Sequence, residues 1–312
     1  MRMIVDAHAH VVDALAGRTA SGETVSLRHG RIRWGGREVQ FTSPLTDLTT
    51  FPPEVLLAHM DWAGVAKAVL LQGSFYGDKN GYVAEAVRRW PDRFVGAAYV
   101  DPRGAEARTN FARCVEGYGF PIVKLELSVA TGFVGLYPDL RLDGEELAWL
   151  WEEAERRGLV VTLDLGAVAS ASYQTEAVRR IIERHPELTV VIAHLAQPPA
   201  ARTDDPELDA LWRAQVLLAR NPRVSFDLSS VPAYAATIED YPYPTAQRYV
   251  RRAAELVGAD KLLWGSDAPG TLTVGTYAQL LNFVATHCNF FTAAERELVL
   301  GGNAQRIYFP HA

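Results

Sequence analysis

Three histidines and one aspartate, set at the ends of apolar runs, carry the most obvious chemistry in this chain. His8 and His10 lie in Asp6-Ala7-His8-Ala9-His10, directly after Met3-Ile4-Val5. Residues two apart on a strand project the same way, so the two rings would leave one face together. Two neutral imidazoles so placed can share a divalent ion. His194 follows Val190-Val191-Ile192-Ala193, and Asp267 follows Leu262-Leu263-Trp264-Gly265-Ser266. An aspartate beside such a pair can complete a metal shell or take a proton from an attacking water. An HxH by itself arises by chance, so the weight falls on the elements that would bring these groups together.

From Pro52 onward, short apolar runs rich in β-branched residues alternate with helix-like windows. The runs are 67–72, 94–101, 122–127, 160–164, 189–194, 224–228 and 262–267. With the first strand they make eight, which is the pattern of a (β/α)8 TIM barrel in the α/β class. No glycine-rich phosphate loop follows the first strand, which argues against a nucleotide-binding open sheet. The polar stretch from 17 to 44 alternates around His29-Gly30 and Gly35-Gly36. It reads as a β-rich insertion within a single domain spanning 1–312, serving as a lid or a contact in a homodimer.

Alternate residues of a barrel strand face the pore. With Val123, Leu125 and Leu127 toward the helices, Lys124 and Glu126 face inward. The same logic turns Thr162 and Asp164 inward, and Ser225 and Asp227. Gln72 ends the second strand. Asp227 and Gln72 read equally well as loop starts or caps. Lys124 reads as a buried cation paired with Glu126, Asp164 or a substrate carboxylate. Glu126 and Gln72 join it as substrate-binding candidates. Arg103, just after the third strand, is a further anion-binding candidate, with a solvated loop arginine as its alternative. His29 could serve the lid, whereas His59, His185, His287 and His311 read as structural.

Of 312 residues, 48% are hydrophobic and 22% charged, with a net charge of -6. That balance argues against nucleic acid or an anionic membrane surface as partner and leaves a small-molecule substrate. Cys114 and Cys288 make no disulfide framework and suit a reduced, cytoplasmic setting. No apolar run reaches the roughly 18 residues of a membrane helix.

Asp6-Ala-His8-Ala-His10, Ile192-Ala-His194-Leu195 and Gly265-Ser-Asp267-Ala-Pro269 together resemble the amidohydrolase superfamily, in its branch of mononuclear hydrolases, lactonases and decarboxylases. Trp90-Pro-Asp-Arg-Phe-Val-Gly96 and Gly302-Asn-Ala-Gln-Arg-Ile-Tyr308 resemble its lead-in to strand three and its closing segment. The resemblance implies a barrel with one divalent ion, Zn2+ or Mn2+, held by His8 and His10. It casts Asp267 as ligand or base, and His194 as the group that polarises the substrate. The chain departs from the pattern at the end of strand five, where relatives carry histidine and this chain has Asp164. A carboxylate there favours harder ions and lowers the pKa of bound water less, and it admits a reaction without metal. The leading expectation is hydrolysis of an ester, lactone or amide by metal-bound water. The alternatives are decarboxylation of an aromatic or unsaturated acid, a metal-independent lactonase, or a barrel that binds a small molecule without catalysis.

Overall fold

The computed structural model describes residues 3–44 and 46–309, which leaves His311 outside the described residues. Its strands are β1 (Val5–Ala9), β2 (Ala16–Thr19), β3 (Gly22–Ser26), β4 (Arg31–Trp34), β5 (Arg37–Gln40), β6 (Lys67–Leu70), β7 (Phe94–Tyr99), β8 (Ile122–Glu126), β9 (Val160–Asp164), β10 (Thr189–Ile192), β11 (Val224–Asp227) and β12 (Leu262–Leu263). β1 and β6 to β12 form one parallel sheet in that order. It closes on itself through the segment after β12. Ala7 N donates to Trp264 O at 2.9 Å, Asp267 N to His8 O at 2.7 Å and His10 N to Ala268 O at 2.9 Å. The result is a (β/α)8 barrel with helices between the strands. The helix Thr175–Arg184 is typical, turning Ala177, Val178, Ile181 and Ile182 inward at helical spacing.

Two cores follow from strand alternation. Val123, Leu125, Val161, Leu163, Val224 and Phe226 pack outward against the helices. Val5, Ala7, Val69, Leu71, Ile122 and Val160 fill the pore, closed at one end by Ala304 and Tyr308 of the last helix. Lys124, Glu126, Thr162, Asp164, Ser225 and Asp227 are buried on the pore side above that plug. Apolar residues thus fill the N-terminal part of the pore, and polar ones line its C-terminal mouth.

Simple alternation fails on β1. Val5 and Ala7 belong to the pore core, which would turn His8 and His10 outward. The pairing supplies the answer: Asp6 opposes Ala68 and Ala9 opposes Leu70, so Ala7 and His8 together oppose Val69. This bulge adds one residue and returns His8 to the pore face. The buried Asp6 carboxylate braces it, accepting from His8 N at 3.1 Å, Ser266 N at 2.8 Å and the Tyr277 hydroxyl at 2.8 Å. Gly265 lets the neighbouring chain come close, since a Cβ there would stand 2.9 Å from His8 Cβ.

β2 to β5 form a four-stranded antiparallel sheet. Gly35 and Gly36 carry φ of 56° and 79°, the left-handed pair that a two-residue hairpin between β4 and β5 requires. The sheet docks on the segment after β6. Arg18 N donates to Ser74 O at 2.9 Å and Ala16 N to Tyr76 O at 3.2 Å. Trp34 and Phe41 thereby meet Phe75 and Tyr76 over the mouth of the barrel.

Candidate active site

The C-terminal mouth of the barrel encloses a cavity of about 520 Å³. His10, Lys124, Glu126, Asp164, His194 and Asp267 face it from the barrel, and Trp34, Phe41, Phe75 and Tyr76 from above. Its chemistry follows from which nitrogen of each histidine is already engaged.

His10 Nδ1 lies 2.9 Å from Leu71 O. A carbonyl can only accept, so this nitrogen carries the proton. His10 Nε2 then presents a lone pair, and it points at Asp267 Oδ1 from 3.0 Å. His8 behaves alike. Its Nδ1 stands 3.0 Å from Asp227 Oδ2 and donates to it. Its Nε2 takes a hydrogen bond from Lys124 Nζ at 3.2 Å and lies 3.6 Å from Asp267 Oδ1. Burial, and the charge of Lys124 beside it, lower His8 to about 4, and burial also lowers His10. Both rings are therefore neutral near pH 7. Two imidazole lone pairs and a carboxylate oxygen converge with no proton between them. His8, His10 and Asp267 place one donor atom each within 4.8 Å of one another. Such a set is poised for a cation, and Asp227 and the Leu71 carbonyl fix the tautomers that expose it.

Asp267 is partly buried, and its desolvation opposes its charge, yet the His10 contact and the nearby positive His194 hold it well below the usual carboxylate range. The Ser230 hydroxyl donates to its Oδ2. Asp267 adopts φ 57°, and Ser230 φ 56°, left-handed conformations that non-glycine residues hold only under constraint.

Asp164 is set apart from that group, contrary to its expected place in a metal shell. Gly166 N at 2.9 Å and Gln197 Nε2 at 3.2 Å donate to its Oδ1, and His194 Nε2 sits 3.2 Å from its Oδ2. Its oxygens are thus spent on its own loop and on His194. His194 Nδ1 faces the Ser229 hydroxyl at 2.8 Å, and that hydroxyl donates onward to Asp227 Oδ1. Burial works against a charged His194, but Asp164 outweighs it and pushes the ring up to about 10. His194 is a cation with both nitrogens occupied. It is the first of four consecutive left-handed residues, His194 to Gln197, which turn its ring back over the cavity.

Lys124 lies 3.6 Å from Glu126, on the cavity wall, as a buried ammonium shared with His8. Glu126 Oε1 accepts from Ser128 at 2.7 Å and Thr131 at 3.2 Å. Burial and the like negative charge of Asp164, its cross-strand partner, push Glu126 up to about 7.

Two expected substrate groups are elsewhere. Arg103 lies on the surface, gripping Asp139 at 2.8 Å and Glu146 at 2.8 Å. Gln72 is buried but is absent from the cavity wall, because Leu71 and Gly73 take the inward positions around it. His29, the lid candidate, is exposed and does not line the cavity.

Sequence reasoning undervalued one segment. Asp227-Leu228-Ser229-Ser230, running out of the end of β11, holds His8, His194 and Asp267 through three side chains, and Tyr234 four residues on closes the cavity wall. The signal available was the run of hydroxyls directly after an inward aspartate. Tyr76, stacked on His10 with ring centres 4.5 Å apart, was missed as well.

The chain is similar to proteins of one family. The family model described as amidohydrolase matches residues 5–309. An L-fucono-1,5-lactonase of Burkholderia ambifaria is 33% identical over 271 residues, 83% of this chain and 85% of the relative. Among solved structures, an amidohydrolase from Burkholderia multivorans with bound zinc superposes with a TM-score of 0.73 at 20% identity, over 98% of this chain and 99% of its own. A candidate 2-pyrone-4,6-dicarboxylic acid hydrolase from Pseudomonas putida gives 0.69 at 20% identity, over 100% and 99%. The two structural likenesses establish a shared fold.

Proposed function

This chain is an enzyme of the amidohydrolase family, and we propose that it hydrolyses a small, uncharged cyclic ester, a lactone of the sugar-acid type. The observation that carries the reading is the convergence of the His8 Nε2 and His10 Nε2 lone pairs on Asp267 Oδ1 at the mouth of the barrel. The lactonase relative supports the substrate class.

The donor set fits a single Zn2+ or Mn2+ held by His8, His10 and Asp267; when bound, such an ion supplies a Lewis acid and makes water more acidic. The remaining work falls to side chains. Ser230 orients the ionised Asp267 carboxylate, the form able to accept a proton from water attacking a carbonyl carbon. That proton then serves the alkoxide released as the ring opens. Asp227 and Leu71 keep both histidines in one tautomer. Trp34, Phe41, Phe75 and Tyr76 form an apolar wall suited to the C–H face of a ring.

Decarboxylation loses ground on charge. Lys124 is bound to His8 and close to Glu126, and Arg103 is on the surface, so among the described residues the cavity offers a carboxylate substrate no unpaired cation. Glu126, Asp164 and Asp267 would repel it. One observation favours a second reading, lactone hydrolysis without the ion: Lys124 already occupies the His8 lone pair.

The test assays five- and six-membered aldonolactones by acid release, before and after chelation, beside aromatic acids monitored for CO2. Lactone turnover that chelation removes supports the first reading, and turnover that survives it supports the second. CO2 release with no lactone turnover rejects both.

A further inference from the structure

If lactones are the substrates, something must stabilise the negative charge that develops on the carbonyl oxygen as water attacks. His194 was the sequence-based candidate, but both of its nitrogens are spent, on Ser229 and Asp164. Lys124 gives one N–H to His8 and faces Glu126 at 3.6 Å, which orients its ammonium toward those two groups. The indole of Trp34 donates to Thr19 at 3.0 Å. The hydroxyls of Ser128 and Ser230 donate to Glu126 and Asp267. Thr131 donates to Glu126 as well.

Two phenols stand out: Tyr76 and Tyr234 both line the cavity, and among the described residues neither hydroxyl has a protein hydrogen-bond partner. Tyr234 stands on the His194 side, its ring edge-on to the imidazole with centres 6.3 Å apart. Tyr76 stands on the His10 side, stacked flat on that ring. A cavity-facing phenol with no partner is a donor held in reserve for a ligand, because a satisfied structural tyrosine would already be bonded.

We propose that the Tyr234 hydroxyl is a catalytic hydrogen-bond donor to the carbonyl oxygen of the lactone. The inference rests on the hydrolase reading. Water forms a bond to the carbonyl carbon, and its proton passes to Asp267. The π electrons move to the carbonyl oxygen, where the Tyr234 O–H stabilises them. The ring C–O bond then breaks, and the proton on Asp267 goes to the departing alkoxide. The phenol keeps its own proton throughout. Burial and the charges of Asp164, Asp267, Glu126 and Asp227 place its titration far above the working range. Position on the helix after β11 gives it a fixed base: Ser230, which holds Asp267, immediately precedes that helix, Val231–Ala235.

Tyr234→Phe tests this cleanly, because removing an unpartnered oxygen breaks no bond of the free protein. The expected result is a kcat on an aldonolactone lowered by about 10²-fold, as for loss of one oxyanion donor, with KM within about threefold and an unchanged unfolding temperature. Tyr118→Phe, at an exposed tyrosine away from the cavity, is the comparison, with kcat expected to stay unchanged. Full kcat in Tyr234→Phe overturns the proposal, as does a rise in KM alone, which would make Tyr234 a ground-state contact. Wild-type protein that turns over no lactone rejects the hydrolase reading and this inference together, whereas lactone turnover with unimpaired Tyr234→Phe rejects only this one.

Discussion

Lys124 Nζ donates a 3.2 Å hydrogen bond to His8 Nε2, the same lone pair that points at Asp267 and would bind a metal. An ammonium and a divalent ion therefore compete for one nitrogen. Lys124→Met should remove the competitor and one unit of like charge, and tighten Zn2+ binding by at least about tenfold, or ~1.4 kcal/mol. Titration calorimetry with Zn2+ on wild type and variant reads this directly. His8→Ala should abolish binding in both backgrounds; stoichiometric Zn2+ retained without His8 would place the ion elsewhere.

Asp267 is cast as the base. Asp267→Asn keeps its size but removes the carboxylate that accepts the proton. Turnover should drop by at least about 10²-fold. The unfolding temperature should stay close to that of wild type, since the amide oxygen can still take the Ser230 hydrogen bond. Near-normal turnover with lowered stability would make Asp267 structural.

The His194–Asp164 pair gives a pH signature. His194 rises from an ordinary 6.5 to about 10 in the fold, so its contribution is whole below 6.5 and fades as pH climbs through 10. Asp164 is held below its ordinary 3.8, burial notwithstanding, by His194, so its share is whole above 3.8 and fades in acid. Asp164→Asn should therefore destabilise most at about pH 6, by roughly 3–5 kcal/mol, as expected when one partner of a buried pair is removed. The deficit should shrink toward pH 10. Denaturant unfolding of both proteins at the two pH values checks it; a deficit independent of pH would mean the pair is not an ion pair.

Phe41 reaches the cavity from the inserted sheet and packs on Phe75 with ring centres 5.5 Å apart. Removing it costs the substrate an apolar contact and touches no reacting group. Phe41→Ala should raise KM by roughly 3–10-fold and leave kcat within about twofold, given ~0.5–1.5 kcal/mol for such a contact. An equal loss in kcat would show that the insertion takes part in the chemical step.

The chain by itself determined the barrel, because eight apolar runs spaced by helical windows have few other ways to bury their surfaces. It determined the inward aim of Lys124, Glu126, Asp164 and Asp227, because strand alternation is a local rule. It also marked His8, His10, His194 and Asp267, each at a strand end. The tertiary structure decided their roles. The bulge at Ala7–His8 depends on pairing with Val69 and on Ser266 and Tyr277, contributed to the Asp6 brace from the far end of the chain. Asp164 reads as a possible ligand until His194 is seen to hold it. Arg103 reads as an anion site until Asp139 and Glu146 claim it on the surface. Spacing along a strand fixes which way a side chain points, but proton positions and free valences depend on partners tens to hundreds of residues away, which only the closed barrel brings within 3 Å or so.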